Sequence, residues 1–272
     1  MHYLVLSGRA PDAFNSWERF SDTLDQEAEF LASFVAEKPI QTNEVQRSWV
    51  LLPCFLEVAR RTQIETFDLI ELGPSAGLNL VWDRYRYRYE ARSWGAPEAA
   101  LELVGDERAP VPEQLLRLTP HVRARIGIDT SPVDVTSDED GRLLKSFVWA
   151  DQVERLRRLD RAIDLLRHDP PELVQGDFVE LLPRVLSARR ADGLTVVFQT
   201  GTLGYLTPEQ RSRLHATLRE AGAAAPLAFV STGAPRERGA THWGVSLQTW
   251  PRGERALLAE ADYHGSWLEW LA

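Results

Sequence analysis

Residues 71–79 read Glu-Leu-Gly-Pro-Ser-Ala-Gly-Leu-Asn, closing the apolar run FDLIELG, and their spacing fits two kinds of chemistry. Read as Gly73-x-Ser75-x-Gly77, they form a nucleophile elbow, a strained strand-to-helix turn that exposes a serine to an acyl carbon. Read as Glu71-x-Gly73-x-x-x-Gly77, they form a ligand loop, where glycines let backbone N–H groups approach a small molecule at the end of a strand. An elbow also needs an oxyanion-hole loop from an earlier βα unit, then an acid and a histidine later in the chain. Acids, His242 and His264 do follow, but before Phe67 there is at most one weak strand, HYLVL, and no HGGG-like loop. Pro74 also restricts the backbone where the turn is tightest. A serine hydrolase using Ser75 is therefore the alternative reading, and an ordinary helix N-cap is the bland one for that residue.

The elements that would position this loop follow from the hydrophobic pattern. Phe20, Leu24, Phe30, Leu31 and Phe34 share a face over 17–36, as do Val45, Trp49, Leu52, Leu56 and Ala59 over 44–61, which predicts a helical N-terminal cap over 1–64. From residue 65 to 272 strands and helices alternate: strands at 67–72, 125–128, 173–175, 194–199 and 226–232, with helices from Ala76, over 151–166, from Phe178 and over 208–221. That order predicts an α/β fold with a mostly parallel, doubly wound sheet. Residues 242–250 and 255–261 flank Pro251-Arg252-Gly253 and read as a C-terminal antiparallel hairpin. An insertion at about 84–122 carries RYRYRY (84–89), whose period of two reads as a half-buried edge strand, with a ligand-facing aromatic strip as the minority reading.

Composition narrows the chemistry. The 272 residues carry a net charge of −9, which disfavours a nucleic-acid partner, since phosphate neutralisation supplies most non-specific affinity. A single cysteine, Cys54, excludes an internal disulfide and dithiol chemistry and fits a reducing cytosol. No apolar run reaches about 18 residues, so no membrane partner is expected and a cytoplasmic protein is. H-E-x-x-H, EF-hand and P-loop lysine patterns are absent, so neither a catalytic metal nor triphosphate hydrolysis is expected. The oligomeric state, monomer or homodimer, is open.

In a doubly wound sheet, ligands sit at the carboxyl ends of the strands, and an acid ending the second strand can hold ribose hydroxyls. Asp129 ends the second strand and Asp177 follows the third, the places for a ribose acid and an adenine-side acid. Asp129 lies far beyond the roughly 20 residues expected after the glycine loop, a distance that the insertion must account for. Each acid also has the bland reading of a solvated strand-end carboxylate.

The order of helical cap, ELGPSAGL, strand ending in Asp, QGDF, apolar fourth strand and terminal hairpin resembles the class I Rossmann-like methyltransferases that use S-adenosylmethionine. More specifically, QTNEVQR (41–47), ELGPSAGLNLVWDRYRY (71–87), IGIDTSPVDV (126–135), VVFQTGTLGYL (196–206) and HGSWLEWL (264–271) resemble the DUF2332 family over essentially the whole chain. The resemblance implies a Rossmann-like fold, a further helical segment ahead of HYLVL in its relatives, and S-adenosylmethionine as cofactor. It implies that Glu71, Gly73, Ser75 and Gly77 line the methionine end, with Asn79 as a polar contact, and that the acceptor is a small molecule or another non-nucleic-acid target.

After the fourth strand, Gln199, Thr200, Thr202 and Tyr205 are candidates for positioning a nucleophile or accepting its proton, with a core aromatic as the blander role for Tyr205. Asn43, Glu44 and Arg47 could fold over the cofactor as a lid, or Thr42 or Asn43 could simply cap a helix. Asp83, His242 and His264 are the remaining chemical candidates, a lone histidine being more often structural. A methyltransferase-like protein that binds without turnover is the third reading.

Overall fold

The computed structural model describes residues 1–38, 41, 43–190 and 192–272; Thr42, the possible cap, lies outside the described residues. Three helices open the chain: α1 (His2–Leu6), α2 (Trp17–Gln26) and α3 (Ala28–Glu37). HYLVL is thus helical, not a weak strand, and the helix expected over 17–36 is two, broken at Glu27. Short apolar runs do not distinguish the two states, and here the run forms a helix that buries Leu4. Next come α4 (Arg47–Thr62), β1 (Thr66–Leu72), β2 (Arg86–Arg88), β3 (Ser93–Trp94), β4 (Glu102–Val104), β5 (Asp106–Ala109) and β6 (His121–Asp129). Then follow α5 (Asp138–Ser146), α6 (Val153–His168), β7 (Glu172–Gln175), α7 (Phe178–Ser187), β8 (Leu194–Gln199), α8 (Pro208–Ala224), β9 (Leu227–Gly233), β10 (Trp243–Trp250), β11 (Glu254–Ala261) and β12 (Trp267–Trp270).

These elements form two compact units, and the division differs from a boundary at residue 64. One joins Met1–Asn43 to Val133–His168 and is all helical. In it α1 packs on α5, the Tyr3 ring lies 4.8 Å from that of Phe34, and α6 turns Leu159, Ala162, Ile163 and Leu166 inward, the i, i+3, i+4, i+7 stripe of an amphipathic helix. The other joins Glu44–Pro132 to Asp169–Ala272 and holds every strand together with α4, α7 and α8.

In the second unit the main sheet runs β7-β6-β1-β8-β9-β10-β11-β12-β5. The first five of these strands are mutually parallel, in the 3-2-1-4-5 order of a doubly wound Rossmann-type sheet. From β9 onward the pairing turns antiparallel through the expected hairpin β10–β11, and β12 with β5 extends that edge. Leu194–Gln199 is buried at every position, as a central parallel strand requires. Ile70, Leu72, Val197, Leu227 and Phe229 face α7 and α8 on one side. Phe55 of α4 meets Phe198 edge-on at 5.2 Å on the other, which explains why α4 belongs to the sheet and not to a separate cap.

Two expectations near the glycine loop are corrected. No regular α-helix starts at Ala76; a 3₁₀ stretch, Leu78–Arg84, follows with a kink at Val81. RYRYRY keeps its alternation but is no edge strand, because β2 lies between β3 and β4 in a separate three-stranded sheet. Tyr85, Tyr87 and Tyr89 are consequently buried, while Arg86 pairs with Glu102 at 2.9 Å.

Candidate active site at the strand switch point

From β1 the chain goes outward to β6 and β7, then returns to the far side of β1 at β8, so the switch point lies between the carboxyl ends of β1 and β8. The ELGPSAGLN loop lies there. Gly73 extends the ladder by donating its N–H to Ile128 O at 2.9 Å, then turns left-handed at φ +73°. A Cβ on Gly73 would lie 2.2 Å from Thr202 Cγ2, and one on Gly77 2.8 Å from Pro171 Cγ. Both glycines are therefore demanded by the chain's own packing as well as by their conformation. Ser75 is left-handed too, at φ +55°, and buried; Gly77, not Ser75, occupies the N-cap position of the 3₁₀ stretch.

Asp129 closes the loop from β6. Its Oδ2 accepts the Ser75 N–H at 2.8 Å and its Oδ1 the Ser131 N–H at 2.9 Å, which leaves each oxygen one lone-pair direction for a further donor. Asp177 follows Gly176 and caps α7, its Oδ1 accepting the Val179 N–H at 2.8 Å.

Glu71 points from β1 toward the start of α4 and is fully buried. Burial, with a smaller push from Asp129, raises its carboxyl to about 8, against the pull of a hydrogen bond from Asn79 and the charge of Arg47. At neutral pH it is largely a neutral acid, and its Oε2 has no hydrogen-bond partner among the described residues. Asn79 is held in turn by Ser48, whose Oγ donates to Asn79 Oδ1 at 2.8 Å.

Arg47 links this acid to the opposite lip. Its Nε donates to Tyr263 O at 2.9 Å, its Nη1 lies 3.4 Å from both Thr200 O and Oγ1, and its guanidinium sits 4.8 Å from the centre of the Trp243 ring. Glu44 is buried beside it, accepting the Gln46 N–H at 3.1 Å. Asn43 is also buried but belongs to the helical unit.

Except for Tyr205, the remaining candidates have structural engagements. Gln199 is fully buried; its Oε1 accepts the Thr202 N–H at 2.9 Å and its Nε2 donates to Thr232 O at 2.7 Å, so it ties β8 to β9. Tyr205, a candidate for accepting a proton with a core aromatic as its blander role, is 89 % exposed, so the core role is excluded. Asp83 pairs with Arg125 at 2.5 Å, anchoring the 3₁₀ stretch to β6. His242 lies 3.5 Å from Glu260, with its ring edge-on to Trp267. The His264 N–H donates to Asp262 at 3.0 Å.

The glycine loop is held by two tyrosines whose role the sequence does not show and by Thr202, which the sequence suggests for positioning a nucleophile. Tyr85 OH donates to Leu78 O at 2.8 Å and Tyr87 OH to Trp82 O at 2.7 Å, so the tyrosines of RYRYRY satisfy carbonyls of the 3₁₀ stretch. Thr202 Oγ1 donates to Leu72 O at 3.2 Å, locking the turn after β8 onto the end of β1. The tyrosines' period of two is visible in the sequence; their carbonyl partners are not. Among the described residues no three His, Cys, Asp or Glu side chains are grouped to hold a metal ion, and no helix is long and apolar enough to cross a membrane.

A doubly wound α/β unit with a glycine loop and acids at its switch point defines a Rossmann-like protein. The chain belongs to the DUF2332 family, described as an uncharacterized protein conserved in bacteria, whose family model matches residues 1–270. No curated protein matches the chain. Among solved structures it is similar to a S-adenosylmethionine-dependent methyltransferase from Clostridium acetobutylicum ATCC 824, at 10 % identity and a TM-score of 0.32 over 86 % of this chain and 74 % of that one. It is also similar to cofactor-bound Rv0187 from MTB, at 14 % identity and a TM-score of 0.28 over 76 % of this chain and 64 % of that one. Likenesses this distant add nothing to the topology already described.

Proposed function

We propose that the protein is an S-adenosylmethionine-dependent methyltransferase acting on a small molecule or another non-nucleic-acid acceptor. The observation that carries this reading is the pair of acids flanking one glycine loop at the switch point: Glu71 at the end of β1 and Asp129 at the end of β6. Their chemistry fits the two ends of the cofactor. Asp129 keeps acceptor capacity for ribose hydroxyls, the role of a second-strand acid in nucleoside-binding sheets. Glu71 offers an unsatisfied Oε2 toward a cationic amino group, and Asp177 stands after the third strand on the adenine side.

The cofactor would supply the methyl group, and the chain would supply alignment and exclusion of water, so no protein nucleophile is required. Thr200 and Arg47 form the lip opposite Glu71, where an acceptor would approach. The charge of −9 supports a non-nucleic-acid acceptor. On this reading the compartment is the cytosol, where the thiol of Cys54 stays reduced. The burial of Ser75 weighs against the hydrolase, which needs an exposed hydroxyl.

Isothermal titration with S-adenosylmethionine and S-adenosylhomocysteine tests the reading: saturable binding is expected, lost in Asp129→Ala, whereas no heat from either ligand at millimolar concentration sinks it. Labelling by a fluorophosphonate that vanishes in Ser75→Ala would establish the hydrolase instead.

A further inference from the structure

A cavity of about 490 Å³ opens beside the turn after β8, between α8 and the face of β9, β10 and β11. This volume lies within the range of small-molecule pockets. We infer that it is a site for a small organic anion bearing a carboxylate or phosphate, which, resting on the methyltransferase reading above, is the methyl acceptor.

The strand register builds its floor. Phe229 of β9 pairs with Gln248 of β10, which pairs with Arg255 of β11, so the three side chains cross the sheet in one row; Ser231 and Ser246 form the next. On α8, Arg211 and His215 are four residues apart and share one face over the cavity.

Among the described residues no Asp or Glu lines this cavity, although acids outnumber bases in the chain by 40 to 31. Neither Arg211 nor Arg255 has an ion-pair partner among the described residues. Burial first, then the charges of Arg255 and Arg219, lower the His215 imidazole. Arg211, His215 and Arg255 are exposed at the mouth of the cavity with no carboxylate among its described lining residues, and guanidinium forks so presented suit an incoming carboxylate or phosphate. Phe229 and Trp243 supply apolar surface for its organic part. Trp243 also carries Arg47, the residue whose charge reaches Glu71, so the cavity adjoins the proposed cofactor end.

Fluorine NMR of the full chain with fluorobenzoate, fluorophenyl phosphate and the neutral fluorobenzamide tests the inference. Saturable broadening is expected for one or both anions, telling carboxylate from phosphate, and none for the amide. Arg211→Gln and Arg255→Gln should each weaken it about tenfold, while Arg252→Gln, in the β10–β11 turn outside the cavity, should not. Equal binding of the amide, no binding of either anion, or indifference to both cavity substitutions overturns the site. A parallel S-adenosylhomocysteine titration keeps the two readings apart, and the urea unfolding midpoint reports whether the variants are folded. Cofactor binding without anion binding removes the anion site alone; anion binding without cofactor binding supports the site and removes its acceptor role.

Discussion

The Asp129 carboxylate at the tip of β6 accepts the backbone N–H of Ser75 at 2.8 Å, so the acid that ends the second strand fixes the glycine loop that follows the first. These residues are 54 apart in sequence. Parallel pairing of β1 with β6, with Leu72 opposite Ile128, brings them together.

Removing that carboxylate should act on both fold and binding. Asp129→Ala frees two N–H groups from charge-assisted bonds, each worth about 1.5–3 kcal/mol, and should lower the urea midpoint while abolishing S-adenosylhomocysteine binding. Asp129→Asn keeps an acceptor for one of the two N–H groups and sets its NH2 against the other, so it should recover only part of the stability and little affinity. Equal affinity of both variants and wild type would refute a ribose role.

Glu71 makes stability depend on pH. Its folded-state pKa, raised to about 8 from 4.5, means that unfolding releases a proton between those values, so stability is fully present below about pH 4.5 and falls as pH rises to about 8. Each unit of displacement corresponds to about 1.4 kcal/mol. Glu71→Gln, neutral throughout, should flatten melting temperature against pH in that window; an unchanged slope would show that Glu71 is not its source. A cationic ligand beside Glu71 should also expel a proton, making the titration enthalpy vary with the ionisation heat of the buffer.

Gly73 and Thr202 should be coupled. Gly73→Ala carries a conformational cost of about 1–2 kcal/mol and the additional clash with Thr202 Cγ2. Thr202→Ser removes that methyl and keeps the hydroxyl bonded to Leu72 O. The double variant should regain the clash component and not the φ component, as a denaturation cycle would reveal; strict additivity would contradict the packing.

Tyr85→Phe removes one hydroxyl and leaves Leu78 O without that donor in a buried site. A loss of about 1–3 kcal/mol is expected, readable by urea unfolding, with a weaker effect on any ligand held by the loop. A neutral outcome would mean that water replaces the hydroxyl.

Cys54 should be inert. Burial pushes its thiol far above the usual range, and its Sγ lies against Val50 O at 3.5 Å. A thiol reagent should label the native chain slowly and the urea-unfolded chain at once; fast native labelling would show that α4 opens.

Much of the fold is written locally. The β1, β8 and α7 segments, the β10–β11 hairpin and the acid at 129 announce themselves through runs of β-rich residues, turn residues and caps, because those signals come from near neighbours in sequence. The α/β order, the glycine loop and the acids at strand ends are legible along the chain before any folding is known. Tertiary structure alone decided that HYLVL is helical, that the RYRYRY tyrosines face inward onto the loop's carbonyls, that Gln199 is a tie between strands and Tyr205 is exposed, and that Arg211, His215 and Arg255 meet over one cavity. Burial and charge compensation depend on where a side chain's partners lie. Those partners come from strands and helices distant in sequence, brought together only when the sheet is assembled.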